Sequence, residues 1–307
     1  MNQTTTFKKL KIAILGSNGQ LGQEFRFISA SYEFVHFDFY SRQVLDIADA
    51  DRLKNLLAEH HYDYIINCAA YTAVDKAESE AEACYAINAE ACRNITNAIQ
   101  DTETRLVHFS SDYVYHTYTG FPIREEDTTD PQGVYAQSKL EGEQIIRASG
   151  VPALIIRTSW VISSFGHNFV KTMLRLGSEK PSLNVVNDQY GAPTYARHLA
   201  LAVLDIITQV ENNDELVPAF DDTYNYANEG IVTWYDIADR IMNEKVLPCV
   251  VHAIPTSDYP TPASRPHWSV LSKHKIKTTF DLEIPHWYLA VKECLAAIQE
   301  MGVKSGT

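Results

Sequence analysis

Tyr135 and Lys139 stand four residues apart, just downstream of a strand-like run, residues 105–109, that empties into Ser110, Ser111, Asp112 and Tyr113. At helical spacing the phenol and the ammonium share one face and come close enough to interact. A free phenol titrates at about 10, too high for effective proton transfer at neutral pH, and a neighbouring cation pulls that value down. Ser111, at a strand end, is placed to share a carbonyl oxygen with Tyr135. A proton donor, a group that tunes it and a second hydrogen bond to hold the oxygen are what carbonyl reduction requires. Tyr-x-x-x-Lys also occurs by chance in many helices, so the set carries weight only if the chain builds a nicotinamide site as well.

The start of the chain supplies the elements for one. Residues 10–15 form a short apolar, β-branched run that meets Gly16-Ser17-Asn18-Gly19-Gln20-Leu21-Gly22 and then a helical pattern in Glu24, Phe25, Phe27 and Ile28. Glycines in a strand–turn–helix setting let the backbone approach a pyrophosphate, whose charge sits on the helix N-terminus. Residues 33–38 predict a second strand ending at Asp38, 16 residues beyond Gly22, where a carboxylate meets an adenosine ribose. Asp46 precedes a helix over 50–59 and reads equally as its cap or as an adenine contact. A third strand over 62–67 leads into the small residues Cys68, Ala69 and Ala70, which leave room for a cofactor beside the backbone. A helix over 81–99 carries Asn88, whose amide could brace a neighbouring loop or be a satisfied buried polar group. Residues 117–133 read as an exposed, acidic, mobile loop beside the active site. The helix over 134–148 and a fifth strand over 151–156 follow.

Strand–helix alternation to about Thr158 predicts an α/β fold with a doubly wound, Rossmann-type parallel sheet. The pattern then loosens into helices over 168–176, 195–209 and 234–243, short strands near 185 and 224, a Pro/Thr/Ser/His-rich stretch over 249–285 and a closing helix over 287–300. Residues 8–160, with returns around 183–228, form the expected dinucleotide-binding domain; 161–182 and 229–307 form a smaller substrate-binding lobe. The 307 residues carry a net charge of −13, which argues against non-specific nucleic acid or anionic membrane binding but leaves a local phosphate site open. The five cysteines, odd in number and without Cys-x-x-Cys, read as buried thiols of a reducing compartment. With neither a signal-peptide core nor a membrane-length apolar run, a cytoplasmic protein is expected. No His/Cys spacing suits zinc.

Several segments belong together: the glycine motif, Asn67 to Glu78, Ser110 to Tyr115, Tyr135-x-x-x-Lys139-Leu140-Glu141-Gly142-Glu143, Arg157 to Trp160 followed by Asn168-Phe169-Val170, Asp188-Gln189-x-Gly191-x-Pro193-Thr194, and Arg265-Pro266-x-x-Ser269. Over nearly the whole chain they resemble the dTDP-4-dehydrorhamnose reductases, within the extended short-chain dehydrogenase/reductases. The resemblance implies reduction of the C4 ketone of dTDP-4-dehydro-L-rhamnose with NADPH or NADH as hydride source. It makes Tyr135 the acid and Lys139 its partner, also on the nicotinamide ribose, with Ser111 where the family more often has threonine. Cofactor contacts fall on Gly16, Asn18, Gly19, Gln20, Leu21, Gly22, Asp38, Asp46, Ala69, Ala70 and Tyr71, together with Tyr135 and Lys139. Substrate contacts fall on Val74, Ser111, Asp112, Tyr113, Trp160 and Arg265, the last paired with Trp268 as a grip on pyrophosphate and base.

Two departures lie near the sugar: His116-Thr117-Tyr118 replaces a short acidic-glycine turn, and Ile162 stands where the family often has tyrosine. Some relatives hold Mg²⁺ through carboxylates at a homodimer interface; Glu24 follows the glycine motif in that manner, and a first-turn glutamate favoured by the helix dipole explains it equally well. NADPH and NADH both stay open, because Asp38 repels a 2′-phosphate while Arg42 is near enough in sequence to neutralise it. Two readings compete: an epimerase or dehydratase that keeps its NAD bound and uses the same Tyr/Lys pair, and a non-catalytic regulatory subunit. An intact Ser111, Tyr135 and Lys139 speaks against the second.

Overall fold

The structure, a computed structural model, describes residues 9–117 and 120–304. The longer strands are β1 (Leu10–Leu15), β2 (Val35–Tyr40), β3 (Tyr64–Asn67), β4 (Arg105–Ser111), β5 (Ala153–Thr158), β6 (Ser182–Val186), β7 (Thr223–Tyr226) and β8 (Val250–Ile254). The main helices are α1 (Gln20–Ile28), α2 (Ala50–His60), α3 (Ala91–Ile99), α4 (Gly133–Ser149), α5 (Phe169–Glu179), α6 (Ala196–Asn212), α7 (Trp234–Lys245), α8 (His274–Phe280) and α9 (Trp287–Lys304).

Side chains on a strand alternate faces, and a parallel sheet buries both. Ile12, Ile14, Val107, Phe109, Leu154 and Ile156 pack under α1, α6 and α8, while Ala13, Leu15, Ile65, Leu106, Ala153 and Ile155 pack under α2, α3 and α4. The result is a six-stranded parallel sheet in the order β7-β5-β4-β3-β1-β2. Register brings Leu15 level with Asn67 and Asn67 level with His108, so the glycine turn, the loop after β3 and the end of β4 open on one edge. A third cluster, with Val170, Met173, Val185, Ile237, Ile241 and Val291, joins α5, β6, α7 and α9. There β6 pairs with β8, not with the large sheet, and the chain returns to the sheet through α6, β7 and α8.

Local expectations shift in four places. β2 starts and ends two residues later than periodicity suggests, because its ladder with β1 continues to Leu15–Tyr40, and Asp38 is therefore not terminal. Asp49, not Asp46, caps α2, accepting from the Arg52 amide. The helix over 81–99 is interrupted by a π turn at Ala86–Glu90. The described part of the loop after β4 is pinned rather than mobile: Asp130 accepts from the His116 and Thr117 amides, Glu125 from the Asn225 amide, and Ile123 pairs with Leu271. Tyr118 lies outside the described residues. Among those described, no helix is long and apolar enough to cross a membrane, and Cys84, Cys92, Cys249 and Cys294 are buried free thiols.

Helix α4 is held to the sheet by charge as well as by packing. The Arg157 guanidinium, on β5, forks onto the Glu143 carboxylate with Nη2 donating at 2.6 Å and Nε at 3.0 Å, and Nη1 turns to the Tyr115 hydroxyl. Both partners are over 90% shielded from solvent, where an unpaired charge is costly. Glu143→Ala leaves that guanidinium uncompensated and is expected to cost about 3–5 kcal/mol in urea denaturation; a loss below about 1 kcal/mol, the scale of an exposed pair, contradicts this account.

Candidate active site

The glycine turn is a steric requirement. Gly16 has φ +73°, and a Cβ there would stand 2.6 Å from the Ala69 amide nitrogen; one on Gly22 would stand 2.6 Å from the Gly16 carbonyl oxygen. Gly19 begins α1 with no side chain capping it, so the first-turn amides remain available to an anion. Beside them is a 270 Å³ cavity whose walls include Gly16, Asn18, Gly19, Asp46, Ala69, Ala70 and Tyr71, seven of the residues expected at a dinucleotide. Leu21 packs on the core, Gly22 sits inside the turn, and Gln20 points away, its Oε1 accepting from Asn168 Nδ2 at 2.9 Å.

Asp38 is absent from those walls. Its Oδ2 accepts from the Tyr62 hydroxyl at 2.7 Å and its Oδ1 pairs with His36 at 3.2 Å. Arg42, not expected as a contact in its own right, lines the cavity beside Asp46, with Nε 3.2 Å from Oδ2 of that carboxylate. Tyr62 could not have been assigned from its own segment, since its side chain reaches Asp38 across β1.

At the end of β4, the Ser111 hydroxyl stands beside the Tyr135 phenol, favouring its ionised form, and donates to Asp112 Oδ1 at 3.1 Å. The ring of Tyr113 packs edge-on against Tyr135 at 5.5 Å. Burial, with Asp112 nearby, pushes the Tyr135 phenol up to about 12, against the lowering by its bond to Ser111. The ammonium of Lys139 is turned toward the end of β4. That group is buried and donates to the Phe109 carbonyl at 2.6 Å, with His108 Nε2 at 3.5 Å. Burial lowers the Lys139 pKa and holds His108 well below its ordinary value. His108 Nδ1 faces Asn67 Nδ2 at 3.2 Å, and Asn67 Oδ1 accepts from the Ala69 amide, so a buried polar line joins Lys139 to the cofactor-side loop. Asn88 is buried and braces that loop: Oδ1 accepts from the Tyr71 amide at 2.9 Å and Nδ2 donates to the Tyr71 carbonyl at 3.1 Å.

A second cavity of 620 Å³ lies against the third cluster, with Phe169, Met173, Gln189, Trp234, Tyr259 and Arg265 on its walls. Trp160 has φ +45° and stacks on Trp234 at 4.0 Å, so it supports this wall from behind. Gly191 makes room for it; a Cβ there would meet the indole at 2.8 Å. Trp234 was missed, although the Thr233/Asp236 capping box marks it as the first residue of α7. Val74 begins the helical turn Val74–Ala77, whose Asp75 pairs with Arg265. Trp268 is turned from the cavity, donating to the Phe121 carbonyl at 2.7 Å. Ile162 is buried in the third cluster, away from both cavities.

Glu24 is wholly buried; Oε1 accepts from Ser163 at 2.7 Å and Ser164 at 3.1 Å, and Oε2 from Arg197 Nε at 2.8 Å. A carboxylate already satisfied by a guanidinium does not fit a Mg²⁺ ligand, and among the described residues no group of three or more His, Cys, Asp or Glu side chains could hold a metal.

The family described as RmlD substrate binding domain matches residues 10–300. The dTDP-4-dehydrorhamnose reductase of Salmonella typhimurium is 38% identical over 294 residues, covering 93% of this chain and 97% of that protein. This chain belongs to the dTDP-4-dehydrorhamnose reductase family. Two crystal structures of family members agree: the dTDP-4-dehydrorhamnose reductase of Clostridium acetobutylicum, at TM-score 0.87 and 35% identity over 94% of this chain and 100% of that one, and the Bacillus anthracis protein in complex with NADP, at 0.86 and 31% over 94% and 99%.

Within this member of the dTDP-4-dehydrorhamnose reductase family, Asp112 is the most burdened carboxyl of the site. It is 2% exposed, and burial raises its pKa to about 6 against the lowering by the Ser269 and Ser111 hydroxyls. A carboxyl raised above its unfolded value of 3.8 contributes stability that is fully present below that value and is lost as pH rises through about 6. Asp112→Asn is therefore expected to raise Tm at pH 7.5 and to change it little at pH 3.5. Equal shifts at both pH values would show that its charge is not the burden.

Proposed function

We infer that this chain is an NADPH-using oxidoreductase of nucleotide-sugar biosynthesis that reduces the C4 ketone of dTDP-4-dehydro-L-rhamnose to dTDP-L-rhamnose. Carrying this reading is the Ser111–Tyr135 pair, set at the sheet edge that also bears the uncapped glycine turn, with Arg265 of the second cavity acting electrostatically on the adjacent Tyr113. The relatives' names support the same substrate class, and the Bacillus anthracis complex supports NADP as a fitting cofactor.

The nicotinamide cofactor, when bound, supplies the hydride. Tyr135, kept protonated at neutral pH by its raised pKa, holds the proton that the ketone oxygen takes as C4 becomes a carbinol. Ser111 gives that oxygen its second hydrogen bond. Lys139 is fixed by the Phe109 carbonyl on the cofactor side of the pair. Residues 8–160 with the α6–β7 return serve the dinucleotide, and 161–182 with 229–307 serve the sugar nucleotide. We propose a cytoplasmic protein and a homodimer; the mass of the assembly is read by light scattering and the compartment by cell fractionation.

Decay of nicotinamide fluorescence on adding dTDP-4-dehydro-L-rhamnose made in situ tests the activity. Tyr135→Phe is expected to lower kcat by ~10²–10⁴ with cofactor affinity kept. Wild-type turnover in that variant would remove Tyr135 as the acid, and isolation with tightly bound NAD but no net reduction would favour an epimerase or dehydratase.

Cofactor choice is assigned to Arg42 rather than Asp38. Because the Asp38 carboxylate is engaged by Tyr62 and His36, Asp38→Ala should leave the NADPH/NADH ratio of kcat/KM nearly unchanged. Arg42→Ala should lower kcat/KM for NADPH about tenfold and spare NADH, the scale of one charge-assisted hydrogen bond. The reverse pattern would return the role to Asp38.

A further inference from the structure

The segment from Thr261 to Ser272 crosses the catalytic loops as a strap. The Ile123 amide donates to the Val270 carbonyl and the Ser272 amide to the Ile123 carbonyl, each at 2.7 Å; the Trp268 indole donates to Phe121, and Ser264 Oγ lies 3.2 Å from His116 Nε2. At its centre Asp75, from the other side of the cleft, accepts from the Ala263 amide at 3.2 Å and from both ends of the Arg265 fork, Nη1 at 3.0 Å and Nη2 at 2.8 Å.

The way the fork is used decides what remains. A planar guanidinium has five N–H groups in fixed directions. Asp75 takes the end edge, one hydrogen from each Nη, and the other Nη1 hydrogen goes to the Ala263 carbonyl at 3.1 Å. The side edge, Nε–H and the second Nη2–H, has no acceptor among the described residues. Two parallel N–H groups match two oxygens of one phosphate. Arg265 is also on the wall of the 620 Å³ cavity, a volume in the range of small-ligand sites, and acts on Tyr113, which packs against Tyr135. It therefore stands between the larger cavity and the reacting hydroxyls, as a pyrophosphate stands between a nucleoside and its sugar.

We propose that Asp75 is a positioning residue: it locks the Arg265 guanidinium by its end edge, so that the side edge is presented, preformed, to the pyrophosphate of the nucleotide sugar. The proposal rests on the nucleotide-sugar reading above. Its physical content is the side-chain freedom of arginine, removed before the ligand arrives. Simple electrostatics gives the opposite sign, because deleting a carboxylate next to an anion site should tighten anion binding.

The test measures dTDP and thymidine affinity by calorimetry, and steady-state kinetics where turnover is available. Asp75→Asn is expected to weaken dTDP and raise KM for the sugar nucleotide about tenfold, with kcat, NADPH affinity and thymidine affinity changed less than about threefold. In an Arg265→Ala background the same substitution should have no further effect, and Asp75→Glu should recover part of the loss. Tighter dTDP binding in Asp75→Asn, an equal loss for thymidine, or an undiminished effect without Arg265 would each overturn the proposal. Wild-type protein that fails to bind dTDP would overturn the nucleotide-sugar reading itself, whereas wild-type binding with an unaltered Asp75→Asn affinity overturns the positioning role alone.

Discussion

The seating of α4 on the π turn at Ala86–Glu90 is the contact on which the site depends. A Cβ on Gly142 would stand 2.2 Å from the Asn88 carbonyl oxygen, so the helix reaches its depth only because residue 142 has none. That depth brings Lys139 to the Phe109 carbonyl at the end of β4. Asn88 spends its side chain on two neighbours at once, the Tyr71 backbone and, through Nδ2 at 3.1 Å, the Ser138 hydroxyl. One residue thereby indexes the helix that carries the acid against the loop that lines the dinucleotide cavity. π turns recur where a helix must present a group that regular geometry would misplace, and here the group is this amide.

Around that contact, charge is managed by burial and pairing more than by attraction between Tyr135 and Lys139. Desolvation raises the phenol and lowers the ammonium, moving both toward their neutral forms. A phenol that holds its proton at neutral pH is the right starting state for a reduction, in which the ketone oxygen must gain one. The same logic disposes of Glu24. Wholly buried, it needs a cation, and Arg197 supplies it from α6, tying the first helix of the sheet to the chain's return. Ligation of a divalent ion there would require displacing a guanidinium and two serine hydroxyls from one carboxylate, and among the described residues no group of three ligating side chains offsets that cost.

What was legible in the sequence follows from range. The glycine turn, the alternation of strand and helix, and Tyr135 with Lys139 are set by neighbours within a few residues, so periodicity and spacing locate them. The engagement of Asp38 by Tyr62, 24 residues away, is a side-chain contact invisible to local pattern. Asp46 and Asp49 are both plausible caps by type, and only the backbone conformation at residue 49 chooses between them. The loop after β4 has the composition of a mobile segment, yet acidic residues that look solvated are its anchors: Asp130 serves its own backbone, and Glu125 reaches the Asn225 amide 100 residues on.

The residues missed at the second cavity have the same cause with a further consequence. Trp234, Gln189 and Tyr259 come from three separate segments, and no spacing relates them; they meet because α5, β6, α7 and β8 close a cluster of their own beside the sheet. Trp160 bridges the two descriptions, since it belongs to the sheet's β5 end by sequence and to the cluster by packing, at a backbone φ of +45° that a bulky residue adopts only where its surroundings hold it. Strain there is balanced by the stack on Trp234 and the space left at Gly191. A positive φ at the junction turns the chain out of the sheet and into the second cluster, so the conformation that was hardest to foresee is the one that sets Trp160 behind Trp234 in the wall of the second cavity.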